Sequence, residues 1–226
     1  MKLRSMALAL ALVAPAAMVA VPAMAAQDAS ATDTTQQAAA TPEQVVKQVT
    51  ANLAKAIDGH REELKKNKSK LIKIIDGIFL PHFDIDYASI LVLGRHARQA
   101  TPEQRERFAK AFYNSITQRY AEGLVNYNKG SVKVLPFKGQ LNDRRTMVRT
   151  QVMLDDGKTI SVDYAFHKTQ DGHWEAYDVV IEGISYITNY RAQVDAEIRK
   201  LGIEGLIDRL QKNGAEALKK MQKDGS

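Results

Sequence analysis

The sequence predicts an α+β protein in which a curved antiparallel sheet of about four strands is wrapped by helices. Two observations support this fold class. Apolar residues recur at three- and four-residue steps up to residue 126 and again after residue 185, which is typical of amphipathic helices. Between these regions apolar and polar residues alternate, as they do in strands that bury one face. Helices on both sides of a continuous run of strands are expected to cover the sheet.

The first 25 residues have the features of a secretory signal peptide. Lys2 and Arg4 form the positive start, residues 6–21 are apolar, and Ala23 and Ala25 fit the small residues of a cleavage site. The apolar run is too short for a lasting membrane span. We therefore expect cleavage after Ala25 and export of a soluble mature protein.

The composition narrows the range of functions. The 226-residue chain is 45% hydrophobic, which is enough to build a core, and it has no cysteine. Disulfides, thiolate metal sites and cysteine nucleophiles are therefore excluded. The formal net charge of +6 falls to +4 when Lys2 and Arg4 leave with the signal peptide. The charges are spread along the chain and are not grouped with aromatic residues, so we expect no nucleic-acid partner.

A polar segment separates the signal peptide from the predicted domain. Residues 26–41 are mostly Ala, Thr, Gln and Ser, and this composition predicts a disordered tether. Residues 42–226 then form a single domain. Thr41 as N-cap and Pro42 at the first helical position predict a helix at its start.

Three further helices are predicted before the strands, and the first of them spans about residues 69–79. Asp84 is the expected N-cap of a short helix that is apolar nearly all round through Leu93, so we expect it to be deeply buried. Thr101 and Pro102 repeat the earlier start signal and open the longest helix, residues 102–126. The apolar stripe of this helix steps by four residues through Phe108, Phe112, Ile116, Tyr120 and Leu124.

The strand region follows the long helix. Strands are predicted at residues 131–138, 144–154, 158–168 and 173–182. Tight-turn sequences at 155–157 and 170–172 join the last three strands in an antiparallel meander. In the third strand Ile160, Val162 and Tyr164 alternate with polar residues, so one face of the strand is apolar.

The last strand turns into a helix at a specific corner. Trp174 belongs to the strand, Gly183 marks a sharp turn of the backbone, and Ser185 stands at the N-cap position. Asp178 is an acid within an otherwise apolar strand, and Arg191, one helical turn past the corner, is available as its partner. The alternative is an exposed acid and an exposed base that contribute little to stability.

The residues predict neither a catalytic site nor a metal site. The five histidines lack HxH and HExxH spacing, and the chain has no GxSxG elbow and no glycine-rich phosphate loop. Asp163 and His167 lie on the polar face of the third strand and would form an acid–base pair. However, the sequence supplies no nucleophile or oxyanion hole beside them.

Two blocks of sequence motifs stand out in the mature chain. The first block comprises residues 80–84 (LPHFD), 92–95 (VLGR) and 100–104 (ATPEQ). The second is the corner, with Trp174, Asp178, Val179, Gly183, Ser185, Tyr190 and Arg191. Together, over residues 42–215, the blocks resemble the MlaC family of periplasmic phospholipid-binding proteins, also called the toluene-tolerance or organic-solvent-tolerance auxiliary family. One departure is Ala97, where members often carry Trp, and we expect this change to affect a rim or a contact surface.

The resemblance implies a fold, a function and partners. The fold would be a helix-decorated, curved antiparallel sheet similar to the NTF2-like cone. The protein would be a non-enzymatic periplasmic carrier of phospholipid, with lipid as cargo and no cofactor. It would exchange lipid with an outer-membrane lipoprotein–porin complex and with an inner-membrane ABC transporter bearing an MCE-domain subunit, and so maintain outer-membrane lipid asymmetry.

A carrier of this kind must sheath acyl chains from water. At roughly 0.8 kcal/mol per CH₂ group, exposing one sixteen-carbon chain costs on the order of 13 kcal/mol. We expect the chains to lie between the long helix and the sheet. The residues predicted to line this space are Phe112, Ile116, Tyr120, Val148, Val152, Ile160, Val162 and Tyr164. The alternative is that these side chains pack directly on one another.

Two other functions stay open at the level of sequence. One is an NTF2-like enzyme that acts on a small apolar substrate, with Asp163 and His167 as its acid–base pair. Strand alternation argues against it, because both side chains would point away from the face that carries Tyr164 and Phe166. The other is an adaptor with a filled core and no ligand.

Overall fold

A computed structural model describes residues 40–125, 131–136, 144–154 and 157–224. The signal peptide predicted at 1–25 and nearly all of the tether predicted at 26–41 lie outside these residues. Both segments, and the boundaries of the domain, therefore stay predictions.

Six helical segments are present in the described part of the chain. They are α1 (Pro42–Ile57), α2 (Arg61–Lys66), α3 (Lys68–Phe79), α4 (Ile85–Leu93), α5 (Pro102–Val125) and α6 (Tyr186–Asp224). Short 3₁₀ turns at Leu80–His82 and Gly94–Arg98 flank α4. The long segment α6 is bent at Gly202 and Gly214, where φ is 71° and 45°. None of these helices combines the length and the hydropathy that crossing a membrane requires.

The helices begin where the start signals predict. The Oγ1 atom of Thr41 accepts a hydrogen bond from the Gln44 N–H (3.3 Å), and Oε1 of Gln44 accepts one from the Thr41 N–H (2.8 Å). Thr101 and Gln104 form the same reciprocal pair at 3.1 and 2.9 Å. Asp84 caps α4 by accepting a hydrogen bond from the backbone three residues further on (2.8 Å). Each of these caps satisfies backbone N–H groups at a helix start that have no partner within the helix.

The strands form one antiparallel sheet. They are β1 (Val132–Val134), β2 (Arg145–Met153), β3 (Thr159–Lys168), β4 (Trp174–Ile181) and β5 (Ile184–Ser185), and they lie side by side in chain order. The predicted α+β class is confirmed. The two-residue strand β5 was not predicted, because two residues are too few to show alternation.

The apolar core of the described residues lies in three clusters. The largest joins α4, α5 and α6 around Phe108 and Tyr190, and a second joins α1, α3 and α5. In the third, Val45 and Val46 of α1 pack on the sheet. The short helix α4 is less buried than predicted, since Ile90 is 42% exposed. This difference arises because α4 packs on α5, α6 and β4, which leaves Ile90 on its free side.

Candidate functional site

Five of the predicted lining residues share one face of the sheet. In the ladder between β2 and β3, Val148 lies opposite Tyr164 and Val152 lies opposite Ile160. Val162 lies between these pairs, opposite Thr150. Residues directly opposite each other in an antiparallel pair project from the same face. The sheet therefore presents a continuous surface that is mostly apolar.

Helix α1 covers one end of this apolar face. There Val148 and Phe166 are only 4% and 1% exposed and pack against Val45 and Val46. At the other end Val152 and Ile160 are only half-buried. The described residues thus cover the two ends of the face unequally.

The helical lining residues belong to a different cluster. Phe112, Ile116 and Tyr120 follow one another along α5 and are all half-buried. The Phe112 ring lies 5.4 Å from the ring of Phe108 and 5.2 Å from that of Tyr190. Phe112 and Ile116 pack with α4 and α6, whereas Val148 and Tyr164 pack with α1. The helix residues and the sheet residues are therefore two separate apolar walls.

Three tyrosines form a network at the far end of the helix wall. The hydroxyl oxygens of Tyr120 and Tyr190 are 3.2 Å apart, and the Tyr186 ring lies 5.5 Å from the Tyr120 ring. Burial raises the pKa of Tyr186 and of Tyr190. Burial also acts to raise the pKa of Tyr120, but hydrogen bonds from Tyr190, Tyr186 and Arg119 outweigh it, so the net shift is downward.

A basic pocket adjoins these tyrosines. It has a volume of about 440 Å³ and is lined by Arg119, Lys219, Gln222 and Lys223. The Arg119 guanidinium carbon lies 5.5 Å from the centre of the Tyr120 ring, and Nη2 donates a hydrogen bond to Gln222 Oε1. The sequence analysis missed this pocket, because its residues come from α5 and from the end of α6, about one hundred positions apart.

At the strand-to-helix corner Asp178 and Ser185 lie together. Asp178 is 8% exposed, and its carboxylate accepts hydrogen bonds from Ser185 Oγ (2.6 Å) and from the Ile187 N–H (3.1 Å). Ser185 Oγ in turn accepts one from the Thr188 N–H (3.0 Å), which is the geometry of an N-cap. Gly183 takes a positive φ of 79° in the turn between them.

Arg191 does not pair with Asp178, and this expectation is corrected. Its Nε donates a hydrogen bond to the Leu91 carbonyl oxygen at 2.6 Å. A Cβ atom on Gly94 would lie 3.3 Å from Arg191 Cδ, so the side chain passes closely over that glycine. Arg191 therefore links α6 to the end of α4. Asp178 has its own two donors, Ser185 Oγ and the Ile187 N–H.

Other motif residues lie in the core. Tyr190 is 1% exposed within the cluster of α4, α5 and α6, and Trp174 packs with α1 and the sheet. Ala97 is 8% exposed and belongs to the same cluster as Tyr190. The expectation that Ala97 marks a rim or a contact surface is therefore wrong. Its side chain is enclosed by the packed helices.

The residues of the suggested acid–base pair have separate partners. Asp163 accepts a hydrogen bond from Ser161 Oγ (3.2 Å), whereas His167 Nε2 lies 2.9 Å from Asp84 Oδ2. The His167 ring also stacks on Tyr87, with ring centres 4.5 Å apart. Asp163 and His167 lie on the sheet face opposite the apolar one. The structure therefore provides no coupled pair in front of an apolar substrate.

Around His167 the structure brings together three side chains of types that bind metal ions. Donor atoms of Asp84, His167 and Glu175 all lie within 4.8 Å of one another. Burial raises the pKa of Glu175, and the nearby charge of Asp84 adds to the effect. These three residues are the ones that could hold a metal ion in the described part of the chain. No sequence spacing reveals them, because they come from the start of α4 and from two strands.

A family model and two characterised proteins match most of the chain. The family model described as "MlaC protein" matches residues 47–212. A Haemophilus influenzae protein named "Intermembrane phospholipid transport system binding protein MlaC" is 26% identical over 176 residues, which is 77% of this chain and 82% of that protein. The Pseudomonas putida "Toluene tolerance protein ttg2D" is 29% identical over 178 residues, covering 78% of this chain and 76% of that protein.

A solved structure is similar over most of the described fold. It is that of a phospholipid-binding protein from Ralstonia solanacearum in complex with a phospholipid. The TM-score is 0.71 and the sequence identity is 28%, and the match covers 79% of this chain and 99% of that one.

Proposed function

The chain belongs to the MlaC family, and from this premise we propose that it is a periplasmic carrier that binds phospholipid. In this proposal the acyl chains lie between the helix wall of α5 and the apolar face of the sheet. The protein moves lipid between an outer-membrane lipoprotein–porin complex and an inner-membrane ABC transporter with an MCE-domain subunit, and so maintains outer-membrane lipid asymmetry.

The observation that supports this proposal best is that both apolar walls carry side chains that the described residues cover only in part. Phe112 and Ile116 pack with other helices, and Val148 packs with α1, so the two walls are not bound into one cluster. Half-buried apolar residues such as Val152 and Ile160 are costly to leave in water. An acyl chain between the walls would remove this cost and would itself be sheathed.

The chemistry of the opposite sheet face supports a carrier over an enzyme. Asp163 accepts a hydrogen bond from Ser161, and His167 lies beside Asp84. Both side chains project from the sheet face opposite the apolar one. A general base must come within hydrogen-bond reach of its substrate. An apolar molecule between the walls would not meet either group.

The proposal is tested by enlarging side chains on the apolar face of the sheet. We expect Val152→Trp and Ile160→Trp to fold and to purify from the periplasm with less phospholipid than the wild type. Enlarging a side chain in a tightly packed core costs about 1–3 kcal/mol of stability, whereas filling a lipid cavity mainly displaces the ligand. Bound lipid is measured by solvent extraction and mass spectrometry, and stability by thermal unfolding.

Met153→Trp is the matched control. Met153 neighbours Val152 on the same strand, but its side chain projects from the other face and is 56% exposed. We expect this variant to keep both its stability and its lipid. If Val152→Trp and Ile160→Trp unfold, or if they fold and retain their full lipid load, the acyl chains do not lie against this face.

A further inference from the structure

Arg119 is a half-buried cation without an anionic partner among the described residues. Its Nη2 donates a hydrogen bond to the neutral amide of Gln222, and its buried Nε has no acceptor. A charged group removed from water is costly unless an opposite charge or a full set of hydrogen bonds compensates it. The protein therefore keeps a guanidinium group in a position where an anion would be favourable.

The surroundings of Arg119 add positive charge. Lys219 and Lys223 line the same pocket of about 440 Å³. Lys219 has one distant ion-pair partner, Glu216 at 4.0 Å, and both of these side chains are more than half exposed. Lys223 is exposed and pairs with no acid in the described part of the chain. Three cations around one concave space favour an anionic ligand.

The pocket continues directly into the helix wall. Arg119 lies one helical turn beyond Ile116 and next to Tyr120, both of which are predicted lining residues. Gln222 links the pocket to the tyrosine network, since its Nε2 donates a hydrogen bond to Tyr190 Oη at 3.5 Å. The apolar wall is thus followed within about one helical turn by a cation and by the tyrosine hydroxyl groups.

We propose that this pocket binds the phosphate group of the cargo phospholipid, with the Arg119 guanidinium as its principal donor. Guanidinium groups bind phosphate oxygens through paired, charge-assisted hydrogen bonds. Lys219 and Lys223 add longer-range attraction, and the tyrosine hydroxyl groups adjoin the phosphate position. This assignment rests on the proposed function, because it places the polar part of the same lipid.

A competition between two lipids tests the assignment. The purified mature protein is incubated with mixed micelles that contain equal amounts of phosphatidylethanolamine and of diacylglycerol with the same acyl chains. The protein is then re-isolated, and both bound lipids are quantified by mass spectrometry. We expect the wild type to prefer the phospholipid and Arg119→Gln to lose about tenfold of this preference, as expected for losing hydrogen bonds between a charged donor and phosphate. The variant should still carry diacylglycerol.

Two further variants sharpen the comparison. Arg107→Gln removes the same charge from the same helix, but Arg107 is paired with Glu204 (2.9 Å) outside the pocket, so the wild-type preference should remain. Arg119→Lys keeps the charge without the planar fork and should retain part of the preference. Arg119→Lys also replaces Arg119→Gln in the test if Arg119→Gln does not fold. An unchanged preference in both Arg119 variants would overturn the assignment, as would an equal loss of both lipids.

The remaining outcomes separate this inference from the proposed function. If the wild type binds both lipids equally, it is a carrier without a phosphate site, and the inference is wrong. If it binds neither lipid, the proposed function itself fails. Free inorganic phosphate is the other source of the same anion, and its effect on the melting temperature is measured separately. If phosphate raises the melting temperature in an Arg119-dependent way while lipid preference ignores Arg119, the pocket takes free phosphate and the lipid assignment is wrong.

Discussion

Replacing Asp178 by alanine removes two hydrogen bonds from the corner between β4 and α6. The donors are Ser185 Oγ at 2.6 Å and the Ile187 N–H at 3.1 Å, and the carboxylate is 8% exposed. Hydrogen bonds to a charged acceptor contribute about 1.5–3 kcal/mol each, and the Ile187 N–H would be left buried without a partner. We expect a loss of about 3–5 kcal/mol in the free energy of unfolding. In a protein of this size that lowers the melting temperature by about 6–20 °C.

Thermal unfolding of Asp178 variants and of a control measures this effect. Asp178→Asn keeps an acceptor for the Ile187 N–H and should lose only several degrees. Asp208→Ala is the control, because this α6 acid is 54% exposed and lies 3.7 Å from its partner Arg107, a pair worth at most about 1 kcal/mol. A double-mutant cycle between Asp178→Ala and Ser185→Ala should give a coupling energy of about 0.5–3 kcal/mol. An unchanged melting curve together with lost lipid would refute this reasoning and make Asp178 a binding residue.

Two other predictions concern the leader and the pH dependence of stability. Intact mass after periplasmic extraction should show a chain beginning at Ala26, and retention of residues 1–25 would contradict the cleavage site. Burial, helped by the charge of Asp84, raises the folded-state pKa of Glu175 above its ordinary value of 4.5. Stability is therefore lost as the pH rises from that value through the folded-state pKa, because the folded protein binds the proton more tightly. Glu175→Gln should match the wild type in melting temperature near pH 4 and exceed it at pH 7, and a lower value at pH 7 would contradict the sign.

Local chemistry explains which parts of the fold are predictable. Thr41, Asp84 and Thr101 sit at helix starts whose hydrogen bonds reach only three residues along the chain, so the sequence contains the whole interaction. Alternation in β2 and β3 likewise shows which residues share a face, because the side-chain period of a strand is two. The structure agrees with the sequence at all of these positions.

Partners distant in sequence could not be predicted in the same way. Arg191 was matched to Asp178 across the corner, but its actual acceptor is the Leu91 carbonyl, one hundred residues earlier. Asp163 was the partner that the sequence offered for His167, yet the fold places Asp84 beside it from a different element. In both cases the sequence shows a group that needs a partner, and the packing of helices on the sheet decides which partner it meets.

The Arg119 pocket shows why the polar part of the site was invisible in the sequence. An arginine at the edge of an apolar helix stripe is usually solvated, because its long stem lets the charge reach water. Here the last turns of α6 bring Gln222 over the guanidinium, so Arg119 is half-buried and its Nε has no acceptor. On α5, Arg119 and Tyr120 follow Ile116 by about one helical turn, so a cation and a hydroxyl group lie next to the apolar stripe. The two proposals predict different losses. Val152→Trp should bind less of both lipids, whereas Arg119→Gln should lose only the preference for phospholipid over diacylglycerol.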